Sequence, residues 1–461
     1  MSEASATPAL MRAISRMQQC TLDQDVLPIL MVPGIMGSRL HRAGDARSPI
    51  WDPDHTMAML RLADMFTSYR AELLSVRTRA EVFVQPREAA NCTAAQVRRG
   101  WGGVAWGFYG TGLVDLERRS ADLGGVVYAF GYDWRMSNRL NGLRLKERIA
   151  EIRRAHGNRK VLVVTHSMGG LVTRSACVQG AQDDVLGVVH TMQPATGTPV
   201  AYRQSKAGAA ALHWVPADVV LGRIIGRTPV QAAAVGSGMR GAFELFPTDN
   251  HWRASGNEER EPPGQPTRRT SWLSYDASIP VTFAPGFSIY DVYLEQSGVL
   301  GLIDYRLFRR TPSMHINEAY ILDDYVNGPA IADGITAGVN GARAFHRELL
   351  RDYVHPNTSN VAGNGLECDV ATNITRETRW FGPDTAGTAM IREARGDGTV
   401  SVSSATALRL NGVPAQGITD SQRQVFVNGV EHAAAFGASA PFRDKVWDMC
   451  EQVLLCAPTR S

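Results

Sequence analysis

The chain has 461 residues, of which 44% are hydrophobic and 20% charged, with a formal net charge of +3. That length suits one large α/β domain with insertions, or two domains, and the composition is that of an ordinary globular protein. So small a charge does not suggest a strongly anionic partner, so no nucleic acid is expected, and no apolar run reaches the ~18 residues of a membrane span.

Residues 1–25 carry Ser, Gln and acidic residues without a continuous apolar core. They read as a flexible lead-in and not as a secretory signal peptide. The six cysteines (Cys20, Cys92, Cys177, Cys368, Cys450 and Cys456) form no C-x-x-C and read as mostly free thiols. A Cys450–Cys456 pair stays open if the protein is exported. The expected location is cytoplasmic, or exported without a signal peptide.

The first strand is Leu27–Val32, and it runs into Pro33-Gly34-Ile35-Met36-Gly37-Ser38. A glycine-bearing loop after an early strand lets backbone N–H groups approach a developing oxyanion. The Ile35 amide is assigned that role. Residues 55–66 place Met57, Met59, Leu60, Leu62, Met65 and Phe66 on one apolar helix face, read as core packing ahead of lipid contact. The Gly- and aromatic-rich stretch Trp101–Gly110 reads as a loop lining a site.

Val126–Phe130 is a second buried strand, followed by Gly131-Tyr132-Asp133-Trp134-Arg135 and a helix with Leu145, Ile149 and Ile152 on its inner face. Next comes Val161-Leu162-Val163-Val164-Thr165-His166-Ser167-Met168-Gly169-Gly170, an apolar run, a turn with serine at its tip, and a helical pattern. This is a nucleophile elbow of the G-x-S-x-G kind with Thr165 in its first position. The turn projects the serine oxygen, and the following helix aims its first amides at any anion formed there. Met168 is therefore the second expected oxyanion donor. His166 reads as an elbow packing residue. Leu186–Met192 is a further strand, and strands alternating with helices imply a parallel sheet with crossover connections.

The order Val-Pro-Gly-Ile-Met-Gly-Ser, Tyr-Asp-Trp-Arg, His-Ser-Met-Gly-Gly and Gln193-Pro194-Ala195-Thr196-Gly197-Thr198-Pro199 resembles the lecithin:cholesterol acyltransferase family of α/β-hydrolases. That family also holds lysosomal phospholipase A2 and phospholipid:diacylglycerol acyltransferases. The likeness is clearest over 27–203 and resumes near 390–436. It implies an α/β-hydrolase fold: a mostly parallel central sheet flanked by helices, with an inserted cap or lid. It also agrees with an oxyanion amide at Ile35, two residues after the loop proline.

The expected organisation is a core over 26–203, a cap/lid over 204–310, and the rest of the core over 311–461. Within the cap, Ala207–Val220 suits helix, and Arg253–Ser271 is a polar, Pro-bearing loop, equally a lid edge or a surface excursion. Leu221, Ile224, Ile225, Val299, Leu300, Leu302 and Ile303 could line an acyl groove or simply fill a core. Residues 339–354 read as helix, Asn357–Glu367 as a break, and Ile374–Trp380 and Thr388–Arg392 as strands. Arg423–Val427 is the last strand and Pro441–Leu455 the closing helix.

The serine needs a base and an orienting acid, in the chain order Ser, Asp, His. Asp397 is the acid, flanked by glycines after a strand end and followed by Thr399-Val400. His432 is the base, in the loop after the last strand. Asp384, Asp369, His346 and His355 are weaker rivals. No H-x-x-x-H, H-E-x-x-H, P-loop or dinucleotide fingerprint occurs, so no metal and no cofactor are expected.

The residues imply acyl transfer through serine, and the resemblance implies a lipid ester as substrate. Hydrolysis is the first expectation, acyl transfer to an alcohol the alternative, and a non-catalytic lipid-binding protein a third. Contact with a membrane surface and export as a lipid-attacking toxin are left open.

Overall fold

The computed structural model describes residues 26–82, 92–209, 216–251, 267–269, 272–276, 287–295, 300–302, 328–377, 385–408 and 420–457. The strands in chain order are β1 (Leu27–Val32), β2 (Leu40–Arg42), β3 (Asp45–Trp51), β4 (Ala80–Val82), β5 (Gly125–Ala129), β6 (Val161–His166), β7 (Val185–Thr191), β8 (Thr267–Arg269), β9 (Leu273–Asp276), β10 (Thr358–Asn364), β11 (Leu366–Glu377), β12 (Thr385–Gly396) and β13 (Gln424–Asn428). The helices that position the site are α1 (Thr56–Asp64), α2 (Thr67–Leu74), α3 (Trp106–Arg119), α4 (Asn138–Ala155), α5 (Met168–Ala176), α6 (Gly328–Ala344) and α7 (Ala440–Leu455).

Six strands form a parallel sheet in the order β13-β10-β7-β6-β1-β5. Every residue of β1 and β6 is buried, which is why both read as unbroken apolar runs. Helices cover both faces. On one, Leu145, Ile149 and Ile152 of α4 and Leu171 and Val172 of α5 pack against Leu30 and Val163. On the other, Leu113 and Leu116 of α3 and Phe442, Val446 and Val453 of α7 pack against Ile29, Leu162 and Val164. Each fully buried aliphatic chain of this kind contributes about 1.5–3 kcal/mol. This is the α/β-hydrolase fold.

The Tyr-Asp-Trp-Arg motif staples the sheet to the 51–82 segment. Arg135 makes a forked pair with Asp133, at 2.9 and 2.8 Å. It also donates to the carbonyls of Leu73, Ser75 and Thr78. Trp134 is fully buried edge-on to Trp51, with ring centroids 5.5 Å apart.

A separate aromatic cluster, including Tyr202, Phe243, Phe246, Trp272 and Tyr293, joins the 199–302 region to Ile331, Ile335 and Val339 of α6. Beside it lies a four-stranded sheet ordered β12-β11-β9-β8.

Several sequence expectations are corrected. Trp101–Gly110 is no loop: Trp101–Gly103 is a 3₁₀ turn, and α3 begins at Trp106. Its glycines permit close packing, since a Cβ on Gly112 would lie 2.7 Å from Phe436. Residues 358–364, expected within a break, form β10 inside the central sheet. The helix expected from Ala207 instead ends there, at Gly208 with φ 88°, and a new helix runs Pro216–Ile225. Of the apolar face on 55–66 only Leu62 is buried, while Met57, Leu60 and Phe66 are exposed.

Ile224, Leu300 and Leu302 are packed in cores, which fits the core reading. Val299, Ile303, the lead-in 1–25 and most of 253–271 lie outside the described residues. Cys450 and Cys456 are free thiols, not a disulfide.

Candidate active site

β6 is buried on both faces and ends at His166, and α5 starts at Met168, so the whole reversal falls on Ser167. Its φ of 53° and ψ of −125° lie in a region that side-chain-bearing residues rarely adopt. The reversal survives because its neighbours give way. A Cβ on Gly34 would sit 2.8 Å from the Ser167 Cβ, and one on Gly169 would sit 2.4 and 2.5 Å from the Val32 and Pro33 carbonyl oxygens. The tight contact is thus between the elbow and the end of β1, and a Cβ on Gly170 would meet Gln193 at 2.4 Å.

Three side chains remote in sequence meet at this turn. The Ser167 hydroxyl donates to His432 Nε2 at 2.9 Å, and His432 Nδ1–H donates to Asp397 Oδ2 at 2.8 Å. The other Asp397 oxygen accepts the N–H groups of Thr399 at 3.0 Å and Val400 at 2.7 Å. The main chain repeats the link, with His432 N–H donating to the Asp397 carbonyl at 3.0 Å. These partners fix the tautomer. An acceptor at Oδ2 holds the imidazole proton on Nδ1, leaving the Nε2 lone pair toward serine. Asp397 is 1% exposed, Ser167 5% and the His432 side chain 12%, so the cluster is largely shielded from water, which strengthens its bonds.

Asp397 reaches the site by an excursion. The chain leaves β10, turns at Gly365 (φ 84°), runs out along β11 and returns along the antiparallel β12. A Cβ on Gly363 would lie 2.5 Å from the Asp397 Cβ, so that glycine makes room for the returning aspartate.

The loop after β1 is held nearly atom by atom. The Pro33 carbonyl accepts from Tyr132 Oη at 2.8 Å, and Gly34 N–H donates to Tyr109 Oη at 2.9 Å. Gly37 N–H donates to the Gly34 carbonyl at 3.1 Å, and Ala105 N–H to the Gly37 carbonyl at 2.9 Å. Trp51 Nε1–H donates to the Met36 carbonyl at 2.8 Å. Met36 itself sits at φ 62°. Among the described residues, the amides of Ile35 and Met168 have no acceptor within the chain. Two free donors beside a serine hydroxyl suit an oxyanion.

The rival residues lie elsewhere or are occupied. Asp369 is buried between Arg203 at 2.8 Å and Arg392 at 3.1 Å, and Asp384 lies outside the described residues. His346 Nε2 bonds the Glu244 carbonyl at 2.8 Å, and burial pushes its pKa down to about 4. His355 bonds the main chain of Asn357 and Gln182. His166 bonds Tyr109 Oη through Nδ1 at 2.8 Å, so that nitrogen is occupied. Tyr109 is the residue that sequence reasoning missed. The glycines around it hid a helical spacing through Leu113 and Leu116.

The lecithin:cholesterol acyltransferase family model matches residues 122–211. The Arabidopsis thaliana protein Lecithin-cholesterol acyltransferase-like 4 is 27% identical over 189 residues. Over this stretch the chain resembles the lecithin:cholesterol acyltransferase family. The lecithin:cholesterol acyltransferase-like match to the model contains Ser167 and Met168 but stops short of Asp397 and His432. The alignment with the Arabidopsis protein covers 38% of this chain and 35% of that protein, so the chain spans about a third of the curated relative's length. The crystal structure of the Tle4–Tli4 complex contains a chain 20% identical to this one, with a TM-score of 0.69 over 95% of this chain and 100% of that chain. At that identity the likeness concerns the fold. No helix among the described residues is long and apolar enough to cross a membrane.

Proposed function

We propose that this protein cleaves lipid carboxylic esters through an acyl-enzyme on Ser167. The observation that carries the reading is the hydrogen-bonded line from Ser167 through His432 to Asp397. A serine hydroxyl is a poor nucleophile at neutral pH, so His432 Nε2 takes its proton as Oγ attacks the ester carbonyl. Asp397 steadies the resulting imidazolium without accepting the proton. The Ile35 and Met168 amides hold the tetrahedral oxyanion, and loss of one such donor typically costs about 3–4 kcal/mol of barrier. His432 then protonates the leaving alcohol, and water, activated in turn by the same imidazole, releases the acid.

The lipid nature of the substrate rests on the family match, with phospholipids and neutral glycerides both candidates. Because that family is named for an acyltransferase, transfer of the acyl group to a second alcohol is the other reading.

The test is product analysis with phosphatidylcholine vesicles and with emulsified triglyceride, each with and without a long-chain alcohol. Free fatty acid as the main product supports hydrolysis, whereas dominant esters of the added alcohol support transfer. Ser167→Ala should fold normally, escape labelling by a fluorophosphonate probe and lose turnover. Retained ester cleavage in that variant would remove the serine from the mechanism.

A further inference from the structure

Tyr109 sits where three parts of the site meet. Its oxygen accepts the Gly34 N–H at 2.9 Å and reaches His166 Nδ1 at 2.8 Å. Its ring fills the space beside the oxyanion loop, for a Cβ on Gly37 would lie 2.8 Å from the Tyr109 ring and 2.9 Å from its oxygen. A hydroxyl has one proton to give, and the Gly34 amide can only donate. The Tyr109 proton therefore goes to His166 Nδ1, which places the His166 proton on Nε2. That ring lies 4.9 Å from the His432 ring, centroid to centroid, and Phe436 packs against both His166 and Tyr109.

The geometry points to Tyr109 and His166 as a positioning brace that sets the oxyanion loop and the His432 imidazole in register with Ser167. Neither residue touches Ser167 Oγ by a hydrogen bond, so neither exchanges protons with substrate. Tyr109 fixes the peptide that ends at Gly34 N, and the next amide along is that of Ile35. Tyr132 holds the same loop from the other side through the Pro33 carbonyl. His166 in turn backs His432. Burial, and next the neighbouring His432, hold the His166 pKa well below its ordinary value, so it stays neutral while His432 gains a proton. A neutral ring here avoids setting a second cation beside the imidazolium. Burial also holds the Tyr109 phenol protonated.

The inference rests on the serine-ester reading, and its test separates the two. Tyr109→Phe keeps the ring and deletes both hydrogen bonds. With a soluble p-nitrophenyl ester, kcat should fall between ten- and a hundredfold while KM stays within threefold, because a displaced oxyanion donor weakens transition-state binding alone. His166→Asn preserves an acceptor at the Nδ1 position and should retain at least fivefold more kcat than His166→Leu. In the double variant Tyr109→Phe/His166→Leu, kcat should be no more than threefold below the worse single, since members of one hydrogen-bonded unit do not lose independently.

A kcat within twofold of the parent in Tyr109→Phe, or fully multiplicative losses in the double variant, would overturn the brace. In that case turnover still abolished by Ser167→Ala leaves the ester reading intact. Should Tyr109→Phe fail to fold, the His166→Asn and His166→Leu comparison decides alone, equal kcat in the two sinking the proposal. Turnover that survives Ser167→Ala would remove both.

Discussion

Asp397→Asn exchanges one carboxylate oxygen for an amide nitrogen without changing shape, and the surroundings dictate which way the amide turns. One side faces two backbone donors, the N–H groups of Thr399 and Val400, and an NH₂ there would meet two like groups. The amide oxygen is therefore held on that side, and the NH₂ is forced toward His432 Nδ1. His432 must then accept at Nδ1 and carry its proton on Nε2, which faces Ser167 and can no longer take the serine proton. A triad locked in the wrong tautomer loses about 10⁴ in kcat, or about 5.4 kcal/mol of barrier. Stability should change little, because both backbone donors keep an acceptor. Asp397→Ala, by contrast, strands the buried Val400 amide at about 1–3 kcal/mol and the part-buried Thr399 amide at less. The assay is p-nitrophenyl ester turnover beside urea denaturation of all three proteins. An Asn variant within tenfold of the parent kcat, with the fold intact, would refute the assigned tautomer and with it the role given to Asp397.

Arg135→Met leaves the Asp133 carboxylate buried without its partner and frees three carbonyls, so urea denaturation should show a loss of about 3–5 kcal/mol. A loss below about 1 kcal/mol would mean that the motif is not a staple. Gly169→Val drives a methyl into main-chain oxygens of β1 and Pro33 that cannot rotate away, and should cost about 1–3 kcal/mol together with activity; a soluble variant of parental stability and turnover would show a looser elbow. His251 is 2% exposed, and burial pushes its pKa down to about 4. Below its ordinary value near 6.5 the unfolded chain binds the proton and the folded one does not. Stability should therefore be complete above that pH and decline by roughly 3 kcal/mol in total as pH falls from 6.5 to 4. His251→Gln should flatten the slope of urea stability between pH 7 and 4, and an unchanged slope would sink the assignment.

The strand–turn–helix around Ser167 was legible because burial on both faces demands an unbroken apolar run, and only a sharp turn accommodates His-Ser-Met-Gly-Gly after it. β1 and β7, buried along nearly their whole length, were readable for the same reason. β10 was not, because its residues are chosen by local partners and not by general burial. Asn360 is fully buried yet donates to the Ala405 carbonyl at 2.9 Å, Thr358 donates to the His355 carbonyl at 2.7 Å, and Gly363 yields space to Asp397. A polar, Gly-bearing heptapeptide of that kind looks like a break until its distant partners, Ala405 and Asp397, are known. Trp101–Gly110 misled in the opposite way. Its glycines sit at close approaches, Gly103 against Val82 and Gly107 against Asp54, so residues that usually end helices here permit packing. The exposed Met57, Leu60 and Phe66 show the limit of periodicity, which locates an apolar face without saying what covers it.

The hairpin β11–β12 stands between a strand of the main sheet and the aspartate that partners His432, and its two feet almost touch at Gly363 and Asp397. A detour that begins and ends at one spot can be lengthened, shortened or exchanged while its endpoints stay put. The number of residues separating Ser167 from Asp397 therefore places no constraint on the distance between them in space. Related sequences can be expected to vary widely in that count. The corresponding acid in each should be sought where the chain returns to the strand next to β7, whatever its separation from the serine.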